Sequence, residues 1–295
     1  MKDIIFINYN LKINNFNKVK NNYYFFYNNE SYLFYEVFND IQMLKFINNY
    51  IKKNNIEAFD IILNNQNEII TKKDNKNYAL LKLSGILKYE VKVNEFKYYP
   101  IEYKACNWGV LWGKRIDYYE IQLRELGIEY QSVLNSYGFF CGLAENAILY
   151  YNLTLDKFKG EEEIVSIVHN RMKYPCYLID YNNPLNFVID YSVRDIAEYI
   201  KSYLLSEDFE LENVFLIIDK LNMNNLSFNL LFSRLLYPTF YFDVYDKIIL
   251  EDGVDNDIIS VVTSADKYVD MLNRLYLRYN IKYQMFNVEW LNKKM

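Results

Sequence analysis

Apolar and polar residues alternate in the first part of the chain, a pattern typical of β-strands. Residues 23–27 and 32–37 are two aromatic-rich runs, and residues 28–31 between them read Asn-Asn-Glu-Ser. Because asparagine favours tight turns, this arrangement predicts a β-hairpin. Two later apolar runs, residues 59–63 and 78–83, are further strand candidates.

A helical pattern lies between these two pairs of strands. Asp40 is a residue type that caps helices, and Asn54 with Asn55 marks the expected end. The apolar residues that share one face of this helix are Ile41, Leu44, Ile47 and Ile51. The predicted order is strand, strand, helix, strand, strand, followed by a hinge at Ser84 and Gly85.

The remainder of the chain is mainly helical in pattern. One apolar stripe ends at Gly127, a residue type common just after a helix, and another helix is expected to open at Gly142 and to run through Tyr151. The stripe consists of Ile116, Tyr119, Leu123 and Leu126. Short strands are expected at residues 164–168, 177–179 and 187–189, and helices at residues 193–204, 226–236 and 264–279.

Composition indicates a globular chain and argues against several classes of partner. Of the 295 residues 52% are hydrophobic and 24% charged, which is ordinary for a protein with a filled core. The net charge is −5 and no basic block occurs, so nucleic-acid binding is not expected. The 31 tyrosines accompany many Asn, Ile and Lys residues, so AT-rich codon usage explains them without a binding role.

The cysteines and the apolar runs indicate the cellular compartment in which the protein is expected. Cys106, Cys141 and Cys176 are odd in number and far apart, which predicts reduced, buried thiols rather than disulfides or a four-ligand zinc site. No signal peptide and no stretch of 18 uncharged apolar residues is present. We therefore expect an intracellular, soluble protein.

Few catalytic groups are available. His169 is the single histidine, so any Ser-His-Asp or Cys-His group would have to use it, and sites with several histidines are excluded. Residues 109–115, Gly-Val-Leu-Trp-Gly-Lys-Arg, are a near-match to a phosphate-binding loop. Their glycines are one residue too close and Arg115 stands where Ser or Thr should bind magnesium, so the match is attributed to chance.

Several C-terminal segments resemble a known family. The segments are residues 142–148, His169, and Asp190 with residues 194–200. They are similar to the kinase-like fold of aminoglycoside and choline phosphotransferases, and more closely to its spore-coat branch of the CotS/YutH type. The resemblance implies an α+β, two-lobed protein-kinase-like fold. Its small β-rich N-lobe would span residues 1–84, and its larger helical C-lobe residues 85–295, with the catalytic hairpin at 164–190.

Carried over residue by residue, the family's catalytic pattern is incomplete. Active relatives have His-Gly-Asp followed five residues later by Asn, where the Asp is the proton acceptor and the Asn helps to hold magnesium. Here His169 is retained, but Arg171 replaces the base and Cys176 replaces the Asn. Asp190 matches the metal-binding Asp. The phosphate-binding lysine is missing from residues 32–37, and no glycine precedes Gly85.

Simple structural roles compete with these assignments. Asp190 is expected to cap or support the helix near Arg194 rather than to bind metal, and His169 to be a core residue bonded to the hairpin backbone. Asp195 is favoured by the helix dipole whatever the function. We also predict that Arg171 pairs with Asp190, or with Asp195 as second choice, the alternative being that it faces solvent.

Three functional hypotheses follow. The first is a pseudokinase that acts as a binding or assembly scaffold, with protein partners that include coat components, no cofactor, and a cytoplasmic origin with deposition on the spore surface. The second is a weakly active small-molecule phosphotransferase that uses ATP and magnesium through Asp190. The third is a nucleotide-binding sensor without turnover. Stabilisation by ATP, with or without magnesium, distinguishes them.

Overall fold

The structure is a computed structural model that describes residues 1–38, 40–126, 129–250 and 253–291. The chain forms two compact units. The first comprises Met1–Tyr99, Ile167–Asn170 and Pro175–Val188, and the second comprises Pro100–Ser166, Arg171–Tyr174 and Ile189–Met295. The predicted boundary between residues 84 and 85 concerned the lobes of the family's fold, and it stays a prediction.

The first unit is built on an antiparallel sheet with strand order β1-β2-β3-β6-β4, in which β5 also pairs with β6. The strands are β1 (Asn17–Val19), β2 (Asn22–Tyr27), β3 (Glu30–Glu36), β4 (Asp60–Ile62), β5 (Thr71–Lys73) and β6 (Lys76–Leu83). Its helices are α1 (Lys2–Tyr9), α2 (Ile41–Asn54) and α5 (Leu178–Tyr181). The hairpin, α2 and the two later strands confirm the predictions, whereas α1 was not predicted.

Asparagine takes the place of glycine at the turns of this unit. Asn28 and Asn29 join β2 to β3 with φ values of 49° and 63°, the two left-handed positions of a two-residue hairpin turn. Asn55 ends α2 with φ 52°, and Asp40 begins it by accepting a hydrogen bond from the Met43 N–H at 2.8 Å. Asparagine tolerates left-handed backbone better than other residues with side chains, which lets a glycine-free segment turn sharply.

Both faces of the sheet are covered. On one face α1 contributes Ile5 and Tyr9 to a core with Phe25, Phe34 and Leu80. The opposite core combines Leu44 of α2, residues of β4 and β6, and residues near the strands or in the turn before β9: Val37, Phe59, Ile61, Ile69, Ala79, Leu81, Leu83 and Leu185. The near-continuous apolar run in β6 follows from burial on two sides.

A second sheet has the order β7-β8-β9, with β7 (Tyr99–Pro100), β8 (Val165–His169) and β9 (Phe187–Tyr191). The strand predicted at residues 177–179 is wrong, because α5 begins at Leu178 and Tyr177 makes only an isolated bridge to Glu90. A short apolar run fits a buried strand or a helical turn equally well. The hairpin predicted at residues 164–190 is therefore two strands joined through a helical turn.

The second unit is helical. Its helices are α3 (Trp108–Leu126), α4 (Gln131–Lys157), α6 (Val193–Leu204), α7 (Leu211–Asp219), α8 (Asn225–Leu236), α9 (Thr239–Leu250), α10 (Ile259–Val262) and α11 (Ala265–Tyr279). Helix α4 packs against α3 and α8, and α8 packs against α6. The α+β class and the helices near residues 193–204, 226–236 and 264–279 are confirmed. Helices α7 and α9 were not predicted.

The helix expected to open at Gly142 begins much earlier. Gly142 lies in the middle of α4, where glycine costs about 1 kcal/mol relative to alanine. The helix continues because its buried stripe runs past this position: Val133, Tyr137, Phe140, Ala144, Ala147 and Tyr151. The end predicted at Gly127 lies outside the described residues.

A buried ion cluster joins α6 to α8. The Glu198 carboxylate is 3% exposed and its Oε1 accepts from Arg234 Nε and Lys201 Nζ, both at 2.9 Å. Its Oε2 accepts from the Thr239 hydroxyl at 3.0 Å. Lys201 also donates to the backbone carbonyls of Arg234 and Tyr237 at 3.1 and 3.3 Å. Although burial alone would raise the pKa of Glu198, the surrounding cations lower it, so this carboxylate stays ionised.

Lys201 predicts a pH dependence of stability. Burial lowers the pKa of its ammonium from 10.5 to about 7. The unfolded chain therefore binds more protons than the folded chain between these values, and the free energy of unfolding rises with pH by at most about 1.4 kcal/mol per pH unit. We expect Lys201→Met to remove this rise in urea unfolding between about pH 7 and 9. The exposed Lys220→Met is the control, and an equal slope in both variants would contradict the role of Lys201.

Candidate functional site

Asp190 lies at the end of β9 and is fully buried. Its Oδ1 accepts from the backbone N–H of Tyr191 at 2.9 Å and from Trp108 Nε1 at 3.0 Å. Its Oδ2 accepts from Trp108 Nε1 at 2.8 Å and from Arg194 Nη1 at 2.6 Å. Three N–H groups therefore engage the carboxylate, and each of its two oxygens accepts from two of them, because the single Trp108 N–H is shared between both oxygens.

Trp108 holds this carboxylate from the start of α3. The indole is 1% exposed, and the Arg234 guanidinium stands over its ring at 4.7 Å from the centroid. The next residue, Gly109, lies close to α4, and a Cβ there would come within 2.6 Å of Asn152 Oδ1 and 3.2 Å of the Tyr151 ring, so the Asn152 side chain would have to move. Residues 109–115 are the first turns of α3, a helix with one buried side, in agreement with their rejection as a phosphate-binding loop.

Arg171 pairs with a residue that the sequence did not indicate. Its Nε and Nη2 donate to Asp243 Oδ2 and Oδ1 at 2.6 and 2.7 Å, a bidentate pair. The predicted pairing with Asp190 is wrong, because Arg194 already neutralises that carboxylate. The second choice, Asp195, stays a prediction, and the solvent-facing alternative is excluded by the pair with Asp243.

Further charges extend this pair. Arg115 lies 3.6 Å from Asp243 and also pairs with Asp246 and with the Tyr119 hydroxyl. Arg171 Nε lies 3.9 Å from Glu198 Oε2, which links it to the ion cluster of α6 and α8. Arg171, Arg194, Arg234 and Lys201 all act electrostatically on Glu198. The positions of the family's base and metal ligand are thus members of one ionic network.

His169 and Cys176 belong to the first unit. His169 is 5% exposed and its Nε2 donates to the backbone carbonyl of Tyr181 at 2.8 Å, with the Phe187 ring edge-on at 5.1 Å. This bond agrees with the interpretation of His169 as a structural core residue. Cys176 is 1% exposed.

The cysteines are free thiols in the described part of the chain. Cys141 and Cys176 are buried as predicted, but the prediction is wrong for Cys106, which is exposed. Its thiol lies 3.9 Å from the backbone carbonyl of Ile189, next to the end of β9. No helix in the described residues is long and apolar enough to cross a membrane.

ATP and magnesium, the groups that the fold implies, fit these residues poorly. The oxygens of Asp190 are occupied by protein donors, and magnesium demands near-ideal octahedral oxygen geometry. Strand β3 reads Glu-Ser-Tyr-Leu-Phe-Tyr-Glu and offers no lysine for the phosphates. Helix α2 contains no carboxylate that could orient one.

Sequence reasoning missed most partners in the site. Trp108 and Asp243 are separated by 82 and 72 residues from the groups that they bind, and no local pattern marks them. The pair of Asp190 and Arg194 is close in sequence, since the two residues, at the end of β9 and in the first turn of α6, are only four positions apart.

The fold is that of aminoglycoside phosphotransferases. The chain superimposes on an aminoglycoside phosphotransferase from Alicyclobacillus acidocaldarius with a TM-score of 0.56 and 9% sequence identity, covering 91% of this chain and 93% of that one. Spectinomycin phosphotransferase APH(9)-Ia, in complex with ADP and spectinomycin, gives a TM-score of 0.52 and 10% identity, with 91% and 92% covered. The predicted kinase-like fold is confirmed.

Sequence similarity identifies the branch of this fold. The chain is 27% identical over 270 residues to the endospore coat-associated protein YutH of Bacillus subtilis strain 168, with 79% of each chain covered. The family model described as spore coat putative kinase YutH matches residues 2–261. The resemblance seen in residues 142–148 and 194–200 is therefore confirmed, and the chain belongs to the spore coat putative kinase YutH family.

Proposed function

We propose that this protein is a catalytically inactive, kinase-like scaffold of the spore coat that acts by binding protein partners. The observation that carries the proposal is the buried carboxylate of Asp190, both oxygens of which accept hydrogen bonds from protein donors. A ligand for magnesium must offer a free oxygen, whereas both oxygens of Asp190 are already bound by Trp108, Arg194 and the Tyr191 N–H. A metal ion at Asp190 Oδ2 would compete with the buried Arg194 guanidinium for the same oxygen.

Arg171 supports the same conclusion at the position of the base. In the family's pattern this residue accepts the proton of the substrate hydroxyl. A guanidinium is protonated throughout the physiological range and has no acceptor atom. Its bidentate pair with Asp243 fixes it in place and makes Asp243 itself an acceptor of two hydrogen bonds.

The nucleotide-holding parts are missing independently. Phosphate binding in kinases uses a glycine-rich loop, a lysine on the third strand and a carboxylate on the following helix. The first glycine of this chain is Gly85, β3 has no lysine and α2 has no Asp or Glu. Loss of three separate parts is expected of a fold kept for its surface rather than for phosphotransfer.

The place of action is inferred from the family. The relative from Bacillus subtilis is described as endospore coat-associated, and the family model as a spore coat protein. We infer that this chain is made in the cytoplasm and deposited on the spore surface, where coat proteins are its partners. Its identity of 27% to that relative leaves room for a different set of partners.

Deposition in the coat is tested by immunoblotting. Spores of the source organism are separated into coat extract and decoated remainder, and spores that lack the gene serve as the control. We expect the full-length chain in the coat extract. Its confinement to the mother-cell lysate, or a source organism that forms no spores, would contradict the proposed location.

The absence of phosphotransfer is tested with the purified chain, ATP and magnesium. Loss of parts such as these reduces rates by on the order of a thousandfold or more, so we expect only trace phosphorylation of aminoglycosides, choline or sugars. ATP should not raise the melting temperature. Stabilisation that requires magnesium would favour a phosphotransferase, and stabilisation without magnesium a nucleotide sensor, and either result would overturn the scaffold proposal.

The structural role of Asp190 is tested by a double-mutant cycle with Arg194. We expect Asp190→Ala to lower the free energy of unfolding by about 3–5 kcal/mol, because it breaks the buried ion pair with the Arg194 guanidinium. The double variant with Arg194→Met should recover part of this loss, with a coupling energy of about 1–3 kcal/mol in urea unfolding.

The matched control is Asp270 and Arg274, which have the same spacing on α11 but are exposed, so their coupling should be about 0.5 kcal/mol or less. Magnesium should not change the stability of the wild type. A stabilisation by magnesium that disappears in Asp190→Ala would show that the residue is a metal ligand.

A further inference from the structure

We propose that Glu120, Cys141 and Glu145 form a binding site for a zinc-class divalent cation between helices α3 and α4. The site lies apart from the residues around Asp190 and does not depend on the proposed loss of phosphotransfer. It belongs to the second unit alone. The ligand class is set by one sulfur and two carboxylate oxygens.

Helix geometry brings the three donors together. Cys141 and Glu145 are four residues apart on α4, so their side chains lie one above the other on the same side of the helix. Helix α3 packs against α4 and supplies Glu120. One ligand atom from each residue lies within 4.8 Å of the other two.

The charges of this cluster favour a cation. Within the described residues neither Glu120 nor Glu145 takes part in an ion pair, although their carboxylates converge on a thiol that is 7% exposed. A bound cation would offset the repulsion between the carboxylates and hold the sulfur as thiolate, releasing the thiol proton to water.

Space for the ion is provided by two glycines. Gly138 lies one turn before Cys141, and Gly142 lies one turn before Glu145. Nothing stands within 4 Å of the point where a Cβ would be on either residue. Gly138 and Gly142, although glycine is unfavourable in a helix interior, thus place no side chain next to Cys141 and Glu145 on α4.

The donor set selects the metal. Thiolate is a ligand for zinc and its analogues cadmium and cobalt, whereas magnesium and calcium take oxygen ligands. Zinc bonds of about 2.0–2.3 Å put tetrahedral ligands roughly 3.3–3.8 Å apart, so the side chains need to close by about 1 Å. Glu145 is exposed and Glu120 half-buried, which allows this movement. Three protein ligands leave the fourth position for water.

Cadmium titration of the metal-free, reduced full-length chain tests the site. We expect an ultraviolet sulfur-to-cadmium charge-transfer band that saturates at one equivalent. Cys141→Ser should abolish the band, and Cys106→Ser, which removes the exposed thiol, should leave it unchanged. Glu145→Gln, a surface change with little risk to folding, should weaken cadmium affinity by at least about tenfold.

Zinc should also raise the melting temperature of the wild type by mass action, and to a smaller extent that of Glu145→Gln. Magnesium should not substitute for zinc. A missing band at saturating cadmium, a band lost in Cys106→Ser but kept in Cys141→Ser, or equal affinities in the wild type and Glu145→Gln would overturn the proposal.

Discussion

Two buried carboxylates, Asp190 and Glu198, determine which side chains pack around them in the second unit. A buried charge without a partner costs several kcal/mol, so each must be surrounded by donors. Arg194 lies between them in sequence and pairs with Asp190, while Arg234 and Lys201 pair with Glu198. These pairs join β9 to α6 and α6 to α8, and Trp108 attaches α3 by its hydrogen bonds to Asp190.

The same pairs account for the proposed loss of catalysis. A phosphotransferase keeps a base and a metal ligand available in its cleft, which requires charges that are incompletely satisfied until substrate and metal bind. Here Arg171 and Asp190 are satisfied by Asp243 and by Arg194 with Trp108. The residues at the positions of the base and the metal ligand thus form interactions that stabilise the fold. Stability and activity often compete in this way.

The sequence predicted those elements that are marked by residues within a few positions of one another. The hairpin of β2 and β3, and α2 with its Asp40 cap, follow from alternation, turn residues and capping within a few positions. The strand expected at residues 177–179 failed because three apolar residues do not define a period. The partner of Arg171 could not be predicted, because Asp243 is distant in sequence. It also lies on α9, a helix that the sequence pattern did not predict.

The most direct test of this account is a crystal structure of the protein soaked with manganese and a non-hydrolysable ATP analogue, with data collected at the manganese absorption edge. Manganese replaces magnesium in oxygen-ligand sites and is visible by its anomalous signal. We expect no anomalous peak at Asp190, with Trp108 Nε1 and Arg194 still bonded to its carboxylate. A manganese ion coordinated by Asp190, with Arg194 displaced, would contradict it.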